Sequence, residues 1–399
     1  MKRSTERILT THVGSLPRPD DLLDMIRAKE RGGPLDAQAY ARRVRSAVGE
    51  IVRRQVEVGL DVIDDGEMGK PGFIPYVNER LGGFEPSRAV RESPWSGSRE
   101  VRAFPEFYEW FARTMPSPPA RSSHMVCTGP ISYTGRKHVQ ADLDNLAAAV
   151  AGTGVEEVFV PAISPTSIEA WQENAYYATA EEYLFAIAEA MREEYTAIVE
   201  AGFLVQIDDP HIATHYVAHP ELDVDHVRRW AEVRVEALNH ALRGIPPDRV
   251  RWHTCYGINI GPRVHDLELK HFVDIVLKVR AGGYSFEAAN PRHEHEWRVW
   301  EHVKLPDGAV LIPGTISHSS ALVEHPELVA ERIVRFARIV GRENVIAGAD
   351  CGFATFAGSE EIHPSIVWAK LGALVDGARL ATQALWGRGG HGPVVATGA

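Results

Sequence analysis

The chain has 399 residues, 44% hydrophobic and 24% charged, and its 54 acidic against 43 basic side chains leave a formal net charge of −11. Those values describe a soluble globular protein of one large domain or two ordinary ones, and an acidic chain without a basic stripe excludes a nucleic-acid surface. No apolar run is long enough to span a bilayer and the N-terminus has no apolar signal core, so a cytoplasmic protein with no membrane partner is expected.

In chain order, a short β-branched or apolar run is followed by a polar turn and then by helical periodicity. The first strand is expected over Ile8 to Val13, and a long helix over Asp36 to Val58 is closed by Gly59. Strands follow at Val62 to Asp65, His124 to Cys127, Val158 to Val160, Leu204 to Ile207, Val250 to Thr254, Tyr284 to Glu287, Val310 to Ile312 and Val345 to Ala349. Helical periodicity covers Ala180 to Val199, Val224 to Leu242, His265 to Val279 and Pro326 to Ile339, with Gly202, Gly282 and Gly341 placed as C-terminal caps. The alternation reads as α/β with parallel strands.

Nine strand candidates are one too many for an eight-stranded barrel. The run at Val158 is discounted, because Pro161 and Pro165 truncate it. A doubly wound open sheet is the competing architecture. A (β/α)8 TIM barrel is preferred because chemically suggestive residues follow nearly every strand, and in a barrel those strand ends share one face. The expected organisation is a single barrel domain over residues 1–386. Aromatic-rich insertions at about 69–121 and 162–179 suit a cap or lid, and a Gly-rich flexible tail occupies 387–399.

The strand ends carry His12-Val-Gly-Ser15, Asp64-Asp-Gly-Glu67, Gln206-Ile-Asp-Asp-Pro210, His253-Thr-Cys255, Glu287, Gly314 to Ser319 and Asp350-Cys-Gly352. Residues two apart on a strand point the same way, so His253 and Cys255 can address one point in space. If Glu287 and Cys351 converge with them, one imidazole, two thiolates and one carboxylate make a tetrahedral Zn²⁺ set. Two thiolates exclude magnesium and calcium. The excess negative charge of such a set disfavours polarising a carbonyl; it suits holding a thiol as a reactive thiolate, with the carboxylate as the ligand to leave. Three scattered cysteines make no disulfide framework, and Cys127 reads as buried packing. The less favoured readings are that Ser15 caps a turn, Asp208 starts a helix and Glu67 is a solvated loop acid.

On Thr11-His-Val-Gly-Ser-Leu-Pro17, the His-x-Cys and Glu elements and Asp350-Cys-Gly352, the chain resembles the cobalamin-independent methionine synthase family, specifically its catalytic C-terminal barrel. It is similar above all to the short single-barrel members, which include epoxyalkane:coenzyme M transferase. The resemblance implies a methionine synthase-type barrel without a strand at Val158 to Val160, and zinc held by His253, Cys255, Glu287 and Cys351. It implies that Val13 and Ser15 grip the carboxylate of homocysteine and that Glu67 and Asp208 pair with its ammonium. His318 falls near the family's acid–base histidine once a one-residue gap is allowed. The implied activity is a zinc-dependent S-methyltransferase that converts homocysteine to methionine with a methyltetrahydrofolate-type donor. The resemblance is to the catalytic barrel alone, so no counterpart of the N-terminal half that helps the full-length enzyme bind its folate is expected here. The donor therefore stays open between a simpler folate, a protein-borne methyl corrinoid and a non-methyl electrophile. The alternative is alkyl transfer to another thiol such as coenzyme M; a barrel that binds a ligand without turnover is the non-enzymatic reading. A homo-oligomer is left open.

Overall fold

The computed structural model describes residues 1–87, 95–114, 124–257, 261–359 and 362–387. Strands run in chain order as β1 (Leu9–Thr10), β2 (Val62–Ile63), β3 (Leu81–Pro86), β4 (Met125–Tyr133), β5 (Glu157–Ile163), β6 (Glu173–Asn174), β7 (Leu204–Asp208), β8 (Val250–Thr254), β9 (Gly283–Phe286), β10 (Val310–Ile316) and β11 (Ile346–Ala349). Eight of them pair in parallel in the order β1-β11-β10-β9-β8-β7-β5-β2. The ring nearly closes where the Asp61 N–H donates to Thr10 O at 3.2 Å and the Thr11 hydroxyl to Val62 O at 2.9 Å. This is a (β/α)8 barrel. β7, β8, β10 and β11 are buried along their whole length, as parallel strands covered on both faces must be.

The helices form where the sequence supplies both a stripe and a stop. Helix Ala37–Val58 starts at Asp36, whose carboxylate accepts the Gln38 and Ala39 N–H groups, and buries Val44, Val48, Ile51, Val52 and Gln55. It ends at Gly59, whose φ of 93° is open to glycine at no steric cost. Asp223 caps Val224–Ala241 in the same way, and Pro326 and Pro364 occupy first-turn positions of Pro326–Val340 and Pro364–Trp386.

Three expectations are corrected. The run at Val158 is a barrel strand: β5 pairs with β2 on one side and β7 on the other. Pro161 is tolerated because β2 ends opposite Val158; Pro161 O then accepts from Lys70 Nζ at 2.6 Å, so the N–H it lacks has no strand to serve. The run at His124 instead begins β4, which pairs antiparallel with β3 in a separate three-stranded sheet with β6. The stretch His265 to Val279 is not one helix. It forms two short turns, Leu269–His271 and Val273–Val276, because the Leu269 N–H is drawn to Glu296 Oε1 at 2.6 Å. Accordingly Gly282 ends no helix and continues the ladder by donating to Val250 O at 3.0 Å.

The stretch 69–121 holds β3 and helices Arg99–Ala103 and Pro105–Thr114; 162–179 holds helix Pro165–Trp171 and β6. From residue 388 onward the expected tail lies outside the described residues. Among the described residues no helix is long and apolar enough to cross a membrane.

Candidate metal centre

Alternation along β8 and its continuation turns Arg251, His253 and Cys255 to one side. The Arg251 guanidinium reaches across the barrel to Thr11 Oγ1 (3.1 Å) and His12 O (3.0 Å) and lies 3.9 Å from the Phe159 ring. Two residues further, ligand atoms of His253, Cys255 and Cys351, all buried, lie within 4.8 Å of one another. Cys351 comes from the turn after β11, and its sulfur is 3.2 Å from that of Cys255.

His253 Nδ1 is 3.2 Å from Ser285 Oγ, while Nε2 is buried with no partner among the described residues. That pairing suits the tautomer in which Nδ1–H donates to serine and Nε2 offers a lone pair. Burial, then the charges of Arg251 and His318, lowers the His253 pKa to about 3, so the ring is neutral at physiological pH. The Cys351 thiol is pushed well above its usual range by the neighbouring Cys255 sulfur, by burial and by Glu287. Two buried thiols in contact cannot both ionise without a cation between them. An orphaned imidazole nitrogen and two sulfurs therefore fit three positions of a soft tetrahedral ion.

Glu287, one residue past β9, is buried yet stands outside that trio. Its Oε1 accepts the Tyr256 N–H at 2.7 Å, and its Oε2 accepts from Arg263 Nη2 at 3.0 Å and Asn290 Nδ2 at 2.7 Å. Asp350, beside Cys351, pins the same turn: its Oδ1 accepts the Ala288 and Ala289 N–H groups at 2.8 Å each. His318 follows β10, buried, with both ring nitrogens unpaired among the described residues. Burial, with help from Arg263 and Lys370, lowers its pKa to about 4 against the opposing pull of Asp350.

A second cluster lies at the ends of β1, β2 and β7. Gly14 has φ +132°, and a Cβ there would come 2.6 Å from the Pro161 ring, so the Val13–Ser15 turn needs glycine. The Ser15 hydroxyl leans on the turn that carries Cys351: a Cβ on Gly352 would sit 2.0 Å from it. Val13 O accepts from Gln206 Nε2, and the same amide donates to Asp208 Oδ1 at 2.9 Å. Burial, then repulsion from Glu67, raises the Asp208 pKa well above the usual carboxylate range. Glu67 is buried in the left-handed region at φ 57°, 3.3 Å from Lys70 Nζ, with Arg18 clamped on its carbonyl at 2.8 and 3.1 Å. Asp64 keeps one buried oxygen without a partner among the described residues, and burial and Asp65 raise its pKa.

The structure thus gathers His253, Cys255 and Cys351, brings Ser15 against the Cys351 turn, and turns the Glu287 carboxylate toward Arg263. Sequence reasoning missed Ser285, Arg263, Gln206 and Lys70. Ser285 and Gln206 had a signal, since each lies two residues before a singled-out acid on the same strand face. His293 is buried, stacks on Tyr256 at 3.8 Å and bonds Asp266 and Glu296.

Residues 8–104 and 135–378 match the family model described as the cobalamin-independent synthase catalytic domain. A methionine synthase of Thermococcus kodakarensis is 25% identical over 379 residues, spanning 94% of each chain. One from Sulfolobus acidocaldarius is 26% identical over 346 residues, covering 86% of this chain and 85% of its own. Among solved structures, a B12-independent methionine synthase from Shewanella sp. W3-18-1, in complex with selenomethionine, aligns with a TM-score of 0.70 at 19% identity, covering 95% of this chain and 99% of that one. A putative vitamin-B12 independent methionine synthase from Listeria monocytogenes aligns with a TM-score of 0.64 at 20% identity, covering 94% and 98%. At these identities the two structures speak for the fold.

Proposed function

Because the chain belongs to the cobalamin-independent synthase catalytic-domain family, we propose that it is a zinc-dependent S-methyltransferase that methylates homocysteine to methionine. The donor is a methyltetrahydrofolate-type compound. The observation that carries this reading is the buried trio of His253, Cys255 and Cys351, with its unpaired imidazole nitrogen and touching sulfurs.

Zinc, when held there, supplies the divalent charge that lets a bound thiol ionise near neutral pH. Glu287 is the fourth, exchangeable donor; three hydrogen-bond donors wait for it away from the trio. Ser15 and the backbone of Val13 take the substrate carboxylate, and Glu67 and Asp208 take its ammonium. Held at both ends, the substrate presents its sulfur to the methyl group in line, which removes much of the entropic part of the barrier. The C–N bond of the donor breaks as the C–S bond forms; its electron pair stays on the donor nitrogen, which takes up the proton that the thiol released. His318, neutral and with unpaired nitrogens, is the acid–base group for that proton. A single domain over residues 1–386, capped by the stretches 69–121 and 162–179, belongs to the same proposal: Arg99 anchors its helix by donating to Tyr216 O at 2.9 Å. Free Cys127, Cys255 and Cys351 suit a reducing, cytoplasmic setting. Glu67 and Asp208 oppose a sulfonate thiol while Lys70, 3.3 Å from Glu67, would attract one, so homocysteine ranks above coenzyme M on the likeness to methionine synthases.

The test is zinc content by mass spectrometry beside methionine formation from homocysteine across a panel of methyl donors. Alanine at Cys255 or Cys351 is expected to remove metal and activity together. Full activity in a metal-free variant would overturn the reading.

A further inference from the structure

Arg263 is an unusual residue to find beside a carboxylate ligand. It is 5% exposed, and it is one of two non-glycine residues with positive φ among those described, at 55°. Such a conformation costs energy and persists where the surroundings impose it. Here they do: Arg263 O accepts from Arg292 Nε at 2.7 Å, which fixes the turn, and the guanidinium forks between two acids. Nη2 donates to Glu287 Oε2 and Nε to Asp266 Oδ2, each at 3.0 Å. Asp266 is held in turn by His293 Nε2 at 3.1 Å, and His293 Nδ1 lies 2.8 Å from Glu296 Oε2.

This arrangement leaves Arg263 neutralised and in place whether or not Glu287 is bound to it, because Asp266 does not depend on Glu287. One of the other two donors to Glu287 behaves alike. Asn290 Nδ2 also reaches Asp350 Oδ2 at 3.1 Å and so keeps a partner, and the Tyr256 N–H follows directly on Cys255. The dock is preformed; its occupant is free to leave.

We propose that Arg263 is a positioning residue, a permanent dock that competes with the metal for the Glu287 carboxylate and so keeps the fourth ligand position open to the substrate thiol. The proposal rests on the zinc reading above. A competing equilibrium has a definite sign: removing the dock shifts Glu287 toward the metal, which tightens zinc and weakens the thiol.

The experiment measures Zn²⁺ affinity by competition with a chromogenic chelator, and homocysteine binding by titrating the absorption spectrum of the Co²⁺-substituted protein. Arg263→Gln is expected to hold zinc tighter by about tenfold and to require correspondingly more homocysteine for the same spectral change, within the range found when groups around metal ligands are altered. In an E287Q background the same substitution is expected to change neither quantity. If R263Q does not fold by circular dichroism, R263K is read instead; lysine lacks the fork that holds both acids and should shift both measurements in the same direction. Wild-type values for zinc and for homocysteine in the folded variant overturn the dock alone. A wild-type chain that takes up no zinc overturns the dock and the zinc reading together.

Discussion

Ser285 fixes which nitrogen His253 offers. An imidazole free to flip would present either tautomer, but one whose Nδ1 lies 3.2 Å from a buried hydroxyl leaves Nε2, without a partner among the described residues, as its free nitrogen. Partners of this kind are worth about 10- to 100-fold in metal affinity. Ser285→Ala should therefore weaken zinc binding by about that factor while leaving both sulfurs in place. Chelator competition reads the loss directly, and an unchanged affinity would mean that the barrel wall alone orients the ring. The trio itself was readable from sequence, because a His-x-Cys spacing on a strand forces two side chains to one side and Asp350-Cys-Gly352 marks another strand end. The resting place of Glu287 was not readable. It depends on Arg263, which lies in an irregular turn whose positive φ no periodicity announces.

The loop after β10 carries His318 and is held by a buried ion pair from outside the barrel. Lys370, on helix Pro364–Trp386, is fully buried; its Nζ lies 2.9 Å from Glu324 Oε2, and Glu324 Oε1 accepts the Ser317 N–H at 2.8 Å. Breaking such a pair leaves an uncompensated buried charge, so Lys370→Met should cost about 3–5 kcal/mol in chemical denaturation. Replacing both partners with apolar residues should recover most of it. A single variant as stable as the wild type would show that solvent reaches Glu324. The pair was invisible in sequence because its members lie 46 residues apart on a helix and a loop. The strands were more legible, and the one misjudged shows the limit. Pro161 reads as a strand breaker only if the flank its N–H would face holds a strand, whereas β2 is two residues long and ends before it. Conversely, Met125–Tyr133 has a barrel strand's composition but finds an antiparallel partner in Leu81–Pro86, a pairing that local pattern does not encode.

Across the whole molecule, five histidines are displaced from their ordinary pKa, four downward and one upward, with opposite pH signatures. Burial lowers His12 and His318 to about 4 and His215 and His253 to about 3. These bind fewer protons folded than unfolded, so they favour the fold above about pH 6.5 and cost stability as pH falls below it. His293 goes the other way. Burial alone would depress it, but its hydrogen bonds to Asp266 and Glu296 outweigh burial and raise it to about 9. Its contribution is complete below the unfolded value near 6.5 and disappears as pH rises through about 9. The four lowered rings contribute alike to the wild type and to a variant at 293, so the difference between those two proteins across pH 7 to 9 reports His293. One proton corresponds to at most about 1.4 kcal/mol per pH unit. Urea denaturation of the wild type and His293→Gln at pH 7 and pH 9 should show a stability gap that narrows with rising pH. The same gap at both values would mean that His293 is neutral in the fold, and that its place between two acids contributes geometry without charge.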